Sequence, residues 1–138
     1  MNALELQAVD FVKASFSAVL LRRDFSQRLN ASSSQITRLI RKLADEGMLL
    51  KISTGMYAKT RKSKLSGKVI PIRSLPELAR EGLERLGITV LPSSAERAYN
   101  EGRSQQVPTG CVIGVSRVVN RRIGYDNTYV QFERVRAD

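Results

Sequence analysis

Apolar side chains recur at helical spacing near the start of the chain, and a short apolar run follows them. Residues 4–15 predict a first helix, because their apolar positions fall mostly three and four residues apart. Residues 19–24 predict a short strand. A second short helix is predicted over residues 25–29, with Asp24 as its N-cap.

The strongest pattern in the chain lies between Ser32 and Gly47. Ser32 and Gln35 have the spacing of a capping box, in which each side chain bonds the backbone N–H of the other residue. Gly47 offers the left-handed conformation that commonly ends a helix. Between them runs a single apolar stripe, formed by Ile36, Leu39, Ile40 and Leu43. We therefore expect an amphipathic helix with one buried face and one polar face.

A predicted hairpin follows this helix. Its strands are expected over residues 49–52 and 56–60, with Gly55 in the tight turn between them. Helix, turn, helix and hairpin occur in this order in a winged helix-turn-helix, a DNA-binding fold. The sequence therefore predicts an α+β protein whose N-terminal domain, residues 1–68, is a winged helix-turn-helix.

The second half of the chain, residues 69–138, predicts a small α+β region that ends in antiparallel β-strands. Its two helices begin at further capping boxes, headed by Ser74 and Ser93. Two closing strands, residues 121–125 and 128–135, are expected to pair as a hairpin across the two residues that separate them. This region would serve for dimerisation or for docking a partner.

The charge of the chain is unevenly distributed. Lys and Arg number 23 against 13 Asp and Glu, which gives a net charge of +10. Residues 1–70 carry thirteen basic and five acidic side chains, including all seven lysines. A basic half of this kind favours an anionic partner such as a phosphate backbone, because binding releases condensed counterions. A charged surface that only keeps the chain in solution is the alternative.

The polar face of the amphipathic helix supplies the candidate DNA contacts. Gln can pair with adenine and Arg with guanine in the major groove, and a recognition helix points its N-terminal residues at base edges. The alternative is an ordinary helix with a solvated face. The candidate residues are Ser33, Ser34, Gln35, Thr37, Arg38, Arg41 and Lys42.

The predicted hairpin adds contacts to the sugar-phosphate backbone or the minor groove. Lys51 and Lys59 are expected to flank its tip, which contains Ser53 and Thr54. The basic residues 61–68 have two open interpretations, an extension of this contact or a flexible linker.

Features of an enzyme are scarce in the sequence. There is no histidine, which removes Ser-His-Asp catalysis and the usual zinc sites. The lone Cys111 is interpreted as a small core residue at the start of a strand. We expect no enzymatic activity, no metal and no cofactor. With no apolar run of bilayer length and no signal-peptide pattern, we expect a cytoplasmic chain without a membrane partner.

Three stretches of the chain carry a resemblance to a known family. They are the helix at residues 34–43 with its continuation through residues 46–57, the segment Ala98–Pro108 with its Gln-Val-Pro ending, and residues 121–124 with residues 130–132. Together they resemble the AbiEi-type antitoxin family of type IV toxin–antitoxin systems and the short bacterial winged-helix proteins related to it. The Gln-Val-Pro segment is the more specific part, since many winged helices share the first stretch.

The resemblance implies a promoter-binding repressor that regulates its own operon and counters a nucleotidyltransferase-like toxin. Longer family members carry an extended C-terminal domain associated with neutralisation, so repression is better supported than neutralisation here. We expect double-stranded DNA as the partner and a homodimer as the assembly. Two other classes stay open, a protein-docking module that uses a winged helix and a basic RNA-binding protein.

Overall fold

The computed structural model describes residues 2–136 and divides the chain into two compact units, Met1–Arg73 and Ser74–Asp138. Both units combine helices with short strands, so the chain is an α+β protein. The division comes five residues after the expected boundary at residue 68, because residues 69–71 form a strand that pairs within the first unit.

The first unit is built from three helices and four strands within the described residues. The strands β1, β3 and β2 form an antiparallel sheet in that order, and β4 pairs with the far end of β3. The elements are α1 (Ala3–Ala14), β1 (Val19–Leu21), α2 (Arg22–Arg28), α3 (Ser33–Asp45), β2 (Leu49–Ser53), β3 (Met56–Lys62) and β4 (Val69–Pro71).

A hydrophobic core joins the three helices to one face of this sheet. Phe25 is completely buried, and the ring of Phe11 meets it edge-on with centroids 5.2 Å apart. Leu20 and Leu49 belong to the same core from the sheet side. The apolar stripe of α3 is buried as predicted, at Ile36, Leu39, Ile40 and Leu43.

The capping box of α3 is confirmed, whereas the predicted cap of α2 is wrong. The Ser32 hydroxyl accepts the N–H of Gln35 at 3.2 Å, and Gln35 Oε1 accepts the N–H of Ser32 at 2.8 Å. Helix α2 begins three residues earlier than predicted, so Asp24 lies inside its first turn. There the Asp24 carboxylate accepts the N–H of Leu21 at 2.7 Å, which still satisfies a free donor at the helix start.

The second unit contains a three-stranded sheet, two helices and a separate small hairpin within the described residues. Strand β5 is antiparallel to β6, and β6 is parallel to β9. The elements are α4 (Leu75–Arg85), β5 (Val90–Leu91), α5 (Ser94–Asn100), β6 (Val112–Val115), β7 (Gly124–Tyr125), β8 (Thr128–Tyr129) and β9 (Gln131–Arg134). The capping box predicted at Ser93 is confirmed. Ser74 also caps its helix, through a hydroxyl that accepts the N–H of Glu77 and donates to the Glu77 carboxylate.

The closing hairpin is shorter than predicted, and the last strand has a different partner. Asp126 and Asn127 have left-handed φ angles of 52° and 60°, so they form the expected tight turn between β7 and β8. After Val130 the chain leaves the hairpin, and β9 pairs in parallel with β6 instead. The expected antiparallel pair therefore forms at β7 and β8, whereas the last strand, β9, is parallel to its partner. Cys111, expected in the core, is exposed and precedes β6.

Candidate nucleic-acid interface

Helix α3 presents a polar face opposite its buried stripe. All seven polar residues predicted for this face are exposed: Ser33, Ser34, Gln35, Thr37, Arg38, Arg41 and Lys42. The helix has no acidic side chain in its first turn and a basic one in its last turn. The face therefore offers hydrogen-bonding groups at its N-terminal end and cations further along.

Two of these side chains already have partners within the helix. Gln35 uses its carbonyl oxygen in the capping box. The Thr37 hydroxyl donates to the carbonyl oxygen of Ser33 at 3.1 Å. A bidentate contact of Gln35 with adenine uses its oxygen and its nitrogen together. The oxygen would then accept the adenine amino group in addition to the Ser32 N–H, or the capping box would open. With the box closed, Gln35 keeps its amide nitrogen as a donor.

Lys42 is held by a carboxylate of α1. Its ammonium lies 3.0 Å from Glu5 Oε2, in an ion pair at the surface. The hydrogen bond from Lys42 lowers the pKa of the Glu5 carboxyl below its ordinary value, and the same bond raises the pKa of the Lys42 ammonium. Lys42 is thus partly neutralised toward an outside anion.

Three side chains of the face keep their full capacity for an outside partner. Across residues 2–136, Ser34, Arg38 and Arg41 make no side-chain hydrogen bond and no ion pair. Arg38 and Arg41 are three positions apart, so they lie on the same side of the helix. These two arginines are the strongest candidates for contact with an anionic ligand.

Arg22 joins the start of α3 to the turn between β2 and β3, a role that was not predicted from the sequence. Its backbone N–H donates to the carbonyl oxygen of Gly55 at 2.9 Å. Its guanidinium donates to the Ser33 carbonyl at 2.9 Å and to the Ser33 hydroxyl at 3.0 Å. The only available signal was its position directly after a short apolar strand. Arg22 therefore brings two separately predicted parts of the interface side by side.

The β2–β3 turn exposes fewer of the predicted contact residues than expected. Ser53 is buried, which removes it from the interface, whereas Thr54 is exposed. The cause is a bulge: Lys51 is opposite Tyr57 and Ser53 is opposite Met56, so the strict alternation of faces breaks between them. Gly55 takes a φ of +69°, which a residue with a side chain rarely adopts.

The two lysines expected to flank this turn have different positions. Lys51 is exposed and near the turn, on the edge strand of the sheet. Lys59 is opposite Leu49, farther along the sheet, and its ammonium donates to the carbonyl oxygen of Ser15 at 2.8 Å. The prediction that Lys59 flanks the tip is wrong, because its ammonium fastens the segment between α1 and β1.

The basic residues 61–68 form neither a linker nor part of the β2–β3 turn. They occupy the end of β3 and the loop that leads back into β4. Arg61, Lys62, Lys64 and Lys68 are exposed there. The first unit thus has a second hairpin, at the opposite end of β3 from Gly55.

Comparisons of the chain with protein-family models, with curated proteins and with solved structures gave no match. Among the helices of residues 2–136, none combines the length and the apolar character needed to cross a membrane.

Proposed function

We propose that the first unit is a winged helix-turn-helix and that the chain is a sequence-specific regulator of transcription acting on double-stranded DNA. The observation that carries this proposal is the polar face of α3, on which Arg38 and Arg41 have no partner in the described chain, next to a β-turn that Arg22 fastens to the helix start. In this function the chain is cytoplasmic and has no catalytic role.

The order and pairing of the elements support the assignment of the fold. Helices α2 and α3 follow each other after a four-residue connection, and the β2–β3 hairpin comes next. Strand β1, which precedes α2, pairs with β3 and so completes a small sheet behind the helices. In a winged helix-turn-helix the second helix of the pair enters the major groove, and α3 takes that role here.

The proposed contacts form two groups, those that recognise bases and those that position the protein on the DNA backbone. Arg38 and Arg41 supply donors that match guanine edges or phosphates, and Ser34 and the Gln35 amide nitrogen add hydrogen bonds at the start of the helix. Thr54 and Lys51 would meet the backbone beside the groove. Ser53 and Lys59 drop out of the set, because one is buried and the other is engaged with Ser15.

The regulatory context comes from the resemblance to the AbiEi-type antitoxins. In that context the chain represses its own operon, and a nucleotidyltransferase-like toxin is its protein partner. The second unit would then supply a homodimer contact or the surface that meets the toxin.

The proposal is tested by fluorescence anisotropy with a duplex from upstream of the gene and a scrambled duplex of the same composition. We expect tighter binding to the native duplex and a strong loss of affinity between about 50 and about 200 mM salt. Arg38→Ala should reduce the preference for the native duplex by about 1–3 kcal/mol. Arg117→Ala, which removes an exposed arginine of the second unit, is the matched control and should leave that preference unchanged.

Equal, weak binding to both duplexes would contradict the proposal and favour a protein-docking module. Preference for single-stranded RNA over either duplex would assign the basic surface to RNA.

A further inference from the structure

The loop between β3 and β4 is an ordered hairpin tip. The N–H of Ser63 donates to the carbonyl of Lys68 at 2.8 Å, and the N–H of Gly67 donates to the carbonyl of Ser63 at 2.9 Å. The Ser63 hydroxyl accepts the N–H groups of Leu65 and Ser66 at 3.3 and 3.4 Å. Gly67 has a φ of +71°, which lets the chain reverse into β4. These bonds hold Leu65 at the apex of the loop.

Leu65 is an unusual residue for such a position. Its side chain is 100% exposed, so it contributes nothing to the core of the unit. It is surrounded in sequence by exposed cations, at Arg61, Lys62, Lys64 and Lys68. The whole stretch between Glu46 and Glu77 contains no acidic residue that could neutralise them. The apex is therefore one apolar side chain in a strongly positive field.

The base of this hairpin is fixed to the end of α3. The Thr60 hydroxyl donates to the carbonyl oxygen of Gly47, and a side-chain methyl of Val69 lies against the same glycine. Gly47 follows Glu46, the C-cap residue of α3, whereas the β2–β3 turn is fastened to the start of α3 through Arg22. Helix α3 consequently has one β-hairpin at each of its ends.

We infer that the β3–β4 hairpin enters a minor groove of duplex DNA and that Leu65 inserts between base pairs there as a wedge. This inference rests on the proposed function and adds to it a site and a mode of contact. A helix in the major groove has a minor groove on either side, and a hairpin at the end of α3 is suitably placed to reach one of them. Minor-groove proteins combine cations on the backbone with a Leu, Phe, Ile, Met or Pro side chain that unstacks a base step and bends the duplex.

An anionic lipid surface is the other partner that would suit cations around an apolar tip. Membrane binding of this kind scales with the apolar area buried, and one leucine supplies little of it. Val69 is the other exposed apolar residue of the hairpin, and its partly exposed side chain also lies against Gly47. The composition of the hairpin thus favours a groove over a bilayer.

The test measures bending of a duplex about 30 base pairs long by energy transfer between dyes at its ends, at saturating full-length protein. The wild type should bring the ends closer. Leu65→Ala should abolish this bend and weaken binding roughly tenfold, because the inserted side chain is lost. Leu65→Phe, in contrast, should keep the wild-type bend, since a phenyl ring also serves as a wedge. Phe16→Ala is the matched control, because Phe16 is fully exposed in the same unit but outside the hairpin.

The lysines give an independent readout. Lys62→Gln and Lys64→Gln should each lower the salt dependence of binding by about one counterion without reducing the bend at saturation. Binding by the wild type without a bend, or an equal bend by Leu65→Ala, would overturn the wedge and leave the proposed function standing. No binding to any duplex would overturn both. Binding to phosphatidylserine vesicles that Leu65→Ala abolishes, with duplex bending unaffected, would assign the hairpin to a membrane instead.

Discussion

Single residues decide how much positive charge the face of α3 offers. By helical periodicity, Lys42 belongs to the same polar face of α3 as Arg38 and Arg41. Its ammonium, however, forms an ion pair with Glu5. The pKa of Glu5 is lowered in the folded chain, chiefly by the hydrogen bond from Lys42. The stabilisation from this pair is therefore present above the ordinary pKa of a glutamate and is lost as the pH falls through the lowered value.

Glu5→Gln should release Lys42 toward a phosphate. We expect tighter duplex binding and a salt dependence steeper by about one released counterion. Asp10→Asn is the matched control, because it removes the same charge from an exposed position of the same helix. Equal effects of the two substitutions in the anisotropy titration would mean that net charge alone is responsible and would contradict a specific role of Lys42.

Arg22 holds two parts of the candidate interface together, the start of α3 and the β2–β3 turn. Both hydrogen bonds to Ser33 are donated by one guanidinium nitrogen, Nη2 of Arg22. Arg22→Lys keeps the charge, but the lysine side chain is shorter and its ammonium falls short of the two Ser33 oxygens. Duplex affinity should fall about three- to tenfold, a loss of roughly 1 kcal/mol, while the salt dependence stays the same. Arg28→Lys, an exposed arginine at the end of α2, serves as the control. A changed salt slope in Arg22→Lys would show instead that Arg22 contacts phosphate itself.

Elements whose signals are local were predictable from the sequence, and those that depend on a distant partner were not. The capping boxes at Ser32 and Ser93 are confirmed. They were predictable because each involves residues only three positions apart. The bulge that buries Ser53 was not predictable, since it arises from the register between two strands. The parallel pairing of β9 with β6 joins residues about twenty positions apart, and an alternating pattern does not specify its partner.

The candidate interface likewise combines features that were predictable from local sequence with features that depend on distant elements. The polar face of α3 follows from helical periodicity and was predicted in full, including Arg38 and Arg41. The restraints on that face come from other elements, such as Glu5 on Lys42 and Arg22 on Ser33. Such contacts appear only when the chain is folded, which is why the sequence overestimated the number of free side chains.

The sheet of the second unit depends on a close approach at Gly114. A Cβ atom at this position would collide with the carbonyl oxygen of Leu91 and crowd that of Pro92. Gly114→Ala should lower the free energy of unfolding by about 3 kcal/mol, because the collision involves backbone atoms that cannot rotate away. Urea denaturation measures this loss, with Ser116→Ala at an exposed position as the control. Unfolding of Gly114→Ala within about 0.5 kcal/mol of the wild type would contradict the packing described here.

At the scale of the whole molecule, the uneven charge assigns the proposed duplex binding to the first unit. Six of the exposed cations of that unit are proposed to contact phosphates: Arg38, Arg41, Lys51, Lys62, Lys64 and Lys68. Contact with roughly six phosphates gives a slope of about −5 in a plot of log affinity against log salt. The affinity for duplex DNA should therefore fall about a thousandfold between about 50 and about 200 mM salt. A slope shallower than about −2 would mean that most of these cations stay in water.

All seven lysines precede residue 69, whereas the second unit carries its positive charge on arginine alone. An acylating reagent that reacts with primary amines will therefore modify side chains of the first unit and leave those of the second untouched. Peptide mass spectrometry after a brief acylation, with and without duplex, would then give a footprint of the interface free of side-chain background from the second unit. Protection of Lys62, Lys64 and Lys68 together would locate the nucleic acid on the β3–β4 hairpin in a single experiment, with no amino-acid substitution.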